Sequence, residues 1–122
     1  MTQPTETTYT PDNLIAGNFP LVTDTGTLLS GESVVRGELL GKITSGGKLA
    51  VSLSASSDGS ETPYCIAAET VDASAADAPI AYYLTGEFNI AAMTFGTGHT
   101  AASVKDGLRA LGIFLKTVIS NA

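Results

Sequence analysis

The chain has no tryptophan, one cysteine, one histidine, and six lysines and arginines among its 122 residues. A single thiol, Cys65, cannot close an intrachain disulfide, so neither a disulfide scaffold nor an oxidising compartment is implied. His99 would have to lean on carboxylates to hold a metal, and no Glu-x-x-His or His-x-His spacing surrounds it. Its expected place is a solvent-exposed loop beside Gly98, and no metal or cofactor is expected. The basic residues Arg36, Lys42, Lys48, Lys105, Arg109 and Lys116 are scattered along the chain. Phosphate neutralisation needs a clustered basic face, so nucleic acid is not an expected partner. Aliphatic runs last a few residues, against the ~20 needed to cross a bilayer. The opening MTQPTETTYTPDN has neither the basic nor the apolar region of a signal peptide. A soluble protein made in the cytosol, with no membrane partner, is expected.

Catalytic patterns are equally sparse. No serine sits in a G-x-S-x-G elbow, and all of them would share His99 as their one possible histidine base. GKITSGGK at residues 41–48 has the glycines and lysine of a phosphate loop but not their spacing, since Gly47 stands where lysine is required. Glu69 and Asp72 are ordinary hydrated loop acids. Cys65, between Tyr64 and Ile66, reads as a buried inert thiol. The residues point away from an enzyme.

What is present is one domain's worth of chain, with a net charge of −6 and a core limited to aliphatics, four Tyr and four Phe. Its organising stretch is VVRGELLGKITSGGKLAVSL, residues 34–53, where short apolar runs broken by glycines predict a strand, a turn at Gly46-Gly47 and a returning strand. There Val35, Leu39 and Leu49 are expected to face the core, with Arg36, Glu38, Lys42 and Lys48 in water. Residues 1–13, rich in Thr and Pro, have almost nothing to bury and read as a flexible N-terminal arm, with Tyr9 and the threonines suited to extended pairing. Residues 14–122 read as the folded β-rich domain.

Residues 13–23 form an edge strand or an extended lead-in, since Pro20 cannot donate to a ladder. A short strand around Leu28-Leu29 ends at Ser30-Gly31. Residues 54–63 form a polar reversal at Asp58-Gly59, and residues 64–71 a further strand. Residues 79–90 alternate Ile80, Tyr82 and Leu84 against Ala81, Tyr83 and Thr85, and predict a strand pair broken at Gly86, one face to the core and one to a neighbouring subunit. Residues 100–111 are the one helix candidate, capped by Thr100 or Ser103 and stopped by Gly112, with Val104, Leu108 and Leu111 on one stripe. IFLKTVI, residues 113–119, closes the chain as a strand.

The run NLIAGNFPLVTDTGTLLSGESVVRGELLGKITSGGKLAV, followed by SDGSETPYCIAAETVDAS, YYLTGEFN and IFLKTV, resembles the head decoration proteins of tailed bacteriophages, the lambda protein D family. GESVVRGELLGK at residues 31–42, then Gly47-Lys48, carries most of the likeness. The resemblance implies a small β-clip or partial-barrel domain that assembles as a homotrimer. It implies binding to the major capsid protein at local threefold positions on the outside of the expanded head, a virion location, and stabilisation of the shell against packaged DNA. By position and character, Tyr9, Pro11, Leu14, Ile15, Phe19 and Pro20 are the expected capsid-facing set. The alternative is a carbohydrate- or cell-surface-binding β module with an aromatic patch of Tyr82, Tyr83 and Phe88. An enzyme, ranked third, requires a pocket gathering Glu69, Asp72 or His99.

Overall fold

The computed structural model describes residues 14–117. The expected arm at residues 1–13 and the end of the last strand, residues 118–119, lie outside the described residues.

The described chain is mainly β. Its strands are β1 (Val22–Leu28), β2 (Ser33–Val34), β3 (Leu39–Lys42), β4 (Leu49–Val51), β5 (Pro63–Ala67), β6 (Val71–Asp72), β7 (Ala78–Asn89) and β8 (Ile113–Lys116). The α-helix, α1, spans Ala101–Arg109, and a 3₁₀ turn at Ile90–Ala92 follows β7. Strands β1, β4, β3, β5 and β7 neighbour one another in that order, and β1 pairs with β7 as well, closing a five-stranded barrel. Strand β8 adds in parallel to the far end of β7, while β2 and β6 form a separate two-stranded ribbon.

The β3–β4 ribbon forms as the sequence predicts, with Leu40 opposite Val51 and Lys42 opposite Leu49. Gly46 and Gly47 take φ of 95° and 74°, left-handed values that side chains disfavour, and the Gly47 N–H donates to the Ile43 carbonyl to close the turn. Leu39 and Leu49 are buried. Val35 is not: the chain turns after β2, so Val34 enters the core and Val35 faces water. Arg36, expected in water, is half-buried, with Nη1 donating to the Ala68 carbonyl and the Tyr83 hydroxyl.

Two strands are longer than the local sequence suggests. Strand β1 begins at Val22 and runs through TDTGT, because seven successive residues find partners on β7, from Val22 opposite Thr85 to Leu28 opposite Ala78. Strand β7 is one twelve-residue strand and not a pair broken at Gly86. Its first part pairs with β1 and β5, and Gly86 to Asn89 continue onto β8. The strand runs on through Gly86 without ending. Its φ is 148°, and a Cβ there would fall 2.5 Å from Leu21 Cδ2 and 2.9 Å from Phe88 Cζ.

The core divides in two. Leu28, Val34, Leu40, Leu49, Cys65, Ala67, Ala73, Ile80 and Tyr82 pack at one end. Leu14, Leu39, Ile66, Phe88, Met93, Val104, Leu108, Ile113 and Leu115 pack at the other, under α1. At nine residues α1 is shorter than the ~12–15 needed for a helix to persist alone in water, so its stability comes from packing. Val104 and Leu108 supply that packing, at about 1.5–3 kcal/mol each for full burial. Thr100 and Ser103 form a reciprocal capping box at its start, as read from the sequence. Gly112, with φ of 87°, ends the turn that follows it. Leu111 departs from the expected stripe, since it lies beyond the last helical turn and is 45% exposed.

Candidate functional site

Three of the exposed apolar side chains, Phe19, Leu21 and Val22, lie against β7 and β8. Residues 14–20 reach these strands from the core: Leu14 is buried among the helix-end side chains, and the Asn89 N–H donates to its carbonyl. Ile15 bridges to Phe88, and the Ala16 N–H donates to the Glu87 carbonyl. The Phe19 N–H then donates to Glu87 Oε2 at 2.7 Å, which turns the chain across the sheet. There the Phe19 ring packs edge-on against Phe114 of β8, with centroids 4.8 Å apart. Leu21 sits over Gly86, and the Thr85 hydroxyl donates to the Pro20 carbonyl. Phe19, Leu21 and Val22 remain 38–47% exposed.

Glu87 is the electrostatic hinge of this surface. Lys116 Nζ donates to its Oε1 at 2.5 Å while its other oxygen holds Phe19. Donation from Lys116 first, and from the Phe19 backbone second, holds its carboxyl below the usual 4.5.

Of the expected capsid-facing residues, Tyr9 and Pro11 lie outside the described residues. Leu14 is turned into the chain's own core and Ile15 is half-buried against β7, while Phe19 and Pro20 are exposed. The structure adds Leu21 and Phe114 beside Phe19. Sequence reasoning missed Phe114 because its proximity comes from the parallel β7–β8 pairing, and Leu21 because its place over Gly86 follows from the β1–β7 pairing, neither of which a local pattern reveals.

A second feature is a cleft of ≈ 220 Å³ between α1 and the end of the 54–63 loop, lined by Thr62, Pro63, His99, Ser103, Val104, Gly107 and Leu111. His99 is not the free loop residue expected. Its Nε2 lies 3.0 Å from the Glu61 carbonyl and 3.1 Å from Oγ of buried Ser52. A carbonyl only accepts, so Nε2 carries the proton and fastens the loop to the residues before α1. The Ser103 hydroxyl is occupied in the helix cap, donating to the Thr100 carbonyl and accepting from its N–H. Neither Glu69 nor Asp72 lines the cleft. Glu69 accepts from the Ala81 N–H, and Asp72 accepts from Ser74.

The aromatic patch of the alternative reading is not on the surface. Tyr82 and Phe88 are buried in the two different core clusters, and Tyr83 leans on Phe88. Cys65 is fully buried, and desolvation pushes its thiol up, away from the reactive thiolate. Among the described residues, no group of three or more His, Cys, Asp or Glu is placed to hold a metal, and no helix is long and apolar enough to cross a membrane.

No curated protein matches the chain. The family model for the bacteriophage lambda head decoration protein D matches residues 3–114, which takes in the β barrel, α1 and the start of β8. That family consists of structural phage proteins. With nearly the whole chain matched, and with a small, mainly β barrel beneath the match, the protein belongs to the bacteriophage lambda head decoration protein D family.

Proposed function

We propose that the protein is a capsid cement: a homotrimer that binds the major capsid protein at local threefold positions on the outer surface of an expanded phage head and stabilises it against packaged DNA. Family membership supports the capsid decoration role and the virion location. The observation that carries the reading further is the placement of residues 14–22. Phe19, Pro20, Leu21 and Val22 lie exposed on the body a few residues after the Thr- and Pro-rich residues 1–13, so they supply the body's share of the binding surface.

Multivalency supplies the mechanism. One arm that pairs with a capsid sheet edge has to overcome an ordering cost of about 1–2 kcal/mol per residue, so it binds weakly alone. Three arms on one rigid trimer raise avidity by roughly 10²–10⁴, on condition that three capsid sites match the trimer's symmetry. Expansion of the head brings those sites into register, so binding reads geometry as well as chemistry. Catalysis has no part in this role.

Deletion of residues 1–13 tests the reading. The truncated protein is expected to fold, to keep its threefold mass in sedimentation, and to lose its attachment to expanded heads. Full coating by the truncated protein would contradict the role given to the arm. A full-length protein that stays monomeric across a concentration series would contradict the trimer.

A further inference from the structure

Strand β1 is bonded along one edge only. Its seven residues all pair with β7, whereas on the other side β4 reaches it at Leu28, opposite Leu49, and no further. Which backbone groups this leaves open follows from the ladder, because antiparallel partners alternate between bonded and non-bonded pairs. Ala81 turns its carbonyl to the Ala68 N–H at 3.0 Å and its N–H to Glu69 Oε2 at 2.8 Å, away from β1. Thr25, opposite Ala81, therefore sits in a non-bonded pair, and by alternation so do Thr23 and Thr27. The residue opposite Thr27 is Pro79, which has no N–H to give. The N–H and C=O groups of Thr23 and Thr25, and the Thr27 N–H, thus point outward along the edge, and all three threonines are exposed.

An open edge invites any extended chain to add to it, and proteins blunt such edges with charge. Asp24 does so here. Its Oδ1 accepts from the Thr25 N–H at 2.8 Å, a bond within the strand itself that closes the middle of the edge to chance partners. The bond is local and exposed, so its net worth is small and a specific partner can displace it.

The open groups recur at every second residue, which is the spacing of a ladder, so what fits them is an extended segment. No described strand of a second copy is open to supply one. On β8 the Gly112 carbonyl accepts from the Gly86 N–H, so the backbones of Ile113 and Leu115 face outward, and those residues are only 0% and 3% exposed. Strands β2 and β6 are two residues long. Pairing of β1 with β1 is a twofold contact, which closes a pair and cannot build a threefold assembly. The edge also starts beside the exposed Leu21 and Val22, and so continues the stretch that the cement reading offers to the shell.

We propose that the β1 edge, from Thr23 to Thr27, takes an extended segment of the shell protein as an added strand, with Asp24 releasing the Thr25 N–H as the segment enters. This inference rests on the cement reading above. It is tested with Thr25→Pro, with Thr25→Ala as a control.

Proline at position 25 removes an N–H that the β1–β7 ladder does not use and sets a ring on the edge, so the variant is expected to fold and to keep its mass. It should lose about tenfold or more in apparent affinity for expanded heads, the net worth of one or two backbone hydrogen bonds. Thr25→Ala keeps the N–H and should coat as the wild type does. The wild-type protein gives a second readout by hydrogen exchange: the Thr23 and Thr27 amides should exchange freely in solution and gain protection on attachment. Normal coating by folded Thr25→Pro, an equal loss in Thr25→Ala, or amides left unprotected on the head would overturn the inference while leaving the cement role intact. Protection already present in the free protein would assign the edge to a second copy or to residues 1–13, and would overturn it as well. A wild-type protein that attaches to no head would remove the cement reading and this inference with it.

Discussion

The two ends of the molecule are finished to different degrees. At the closed end of the barrel, Leu28, Leu40, Leu49, Cys65, Ile80 and Tyr82 fill the interior, and the carboxylates of Glu32 and Asp77 tie down neighbouring backbone at Val51 and Ser30. At the helix end the core is just as dry, with Phe19, Leu21, Val22 and Leu111 facing water around it, while Val35 alone does so beside Val34 of the other cluster. Scattered exposed apolar residues are ordinary, whereas grouped ones mark places where something docks. In the proposed cement role, the helix end, where residues 14–22 leave the core, is the face offered to the shell.

The largest expected effect tests whether the helix end has a core of its own. Phe88 is fully buried there and touches Tyr83, so Phe88→Ala should cost about 3–5 kcal/mol in urea unfolding followed by circular dichroism. A loss below about 1 kcal/mol would mean that this end is loosely packed and that the contrast between the two ends is false. A comparable loss is expected at the sealed end from Gly41→Ala. The added Cβ would fall 1.9 Å from the Ser60 carbonyl oxygen, a backbone atom that cannot swing aside, and about 3 kcal/mol is the expected penalty.

Thr100→Ala removes the oxygen that accepts from the Ser103 N–H and should cost about 1 kcal/mol. Hydrogen exchange sharpens the comparison here. Protection should fall along α1 and stay unchanged in β3 and β4, and a uniform fall would show that the two ends unfold as one unit.

The smallest effect is one of pH. The folded-state pKa of Glu87 is lowered, so the stability it contributes is present in full above its ordinary value of 4.5 and is lost as pH falls through the lower folded value. Acidification through that range should free the Phe19 backbone first, seen as a loss of its amide protection before the barrel responds. Glu87→Gln should remove that pH dependence, and its persistence in the variant would point to another group.

Much of the architecture is legible in the sequence because it is local. The glycine pair at residues 46–47 between two aliphatic runs specifies the β3–β4 hairpin, and the Thr100–Ser103 signal starts α1 where the sequence reads it, although the helix ends at Arg109, short of the Gly112 stop. What escapes is non-local. Nothing in TDTGT announces a strand until β7 lies beside it, and nothing at Gly86 says that the strand will continue into β8. The exchange of Val34 for Val35 follows from the same cause. A one-residue difference in register exchanges the faces of a strand, and short glycine-rich strands set that register only in three dimensions. The surface around Phe19 is half legible: its apolar residues are visible in the chain, but the burial of Leu14 and the arrival of Phe114 depend on tertiary pairing.

The most direct measurement is attachment to heads of two kinds. Purified protein mixed with expanded and with unexpanded heads, then resolved by sedimentation and imaged by cryo-electron microscopy, should coat the expanded shells at their local threefold positions with three copies at each and leave the unexpanded shells bare. Equal coating of both kinds, or density for single copies away from the threefold positions, would contradict a cement that recognises the geometry of the mature shell.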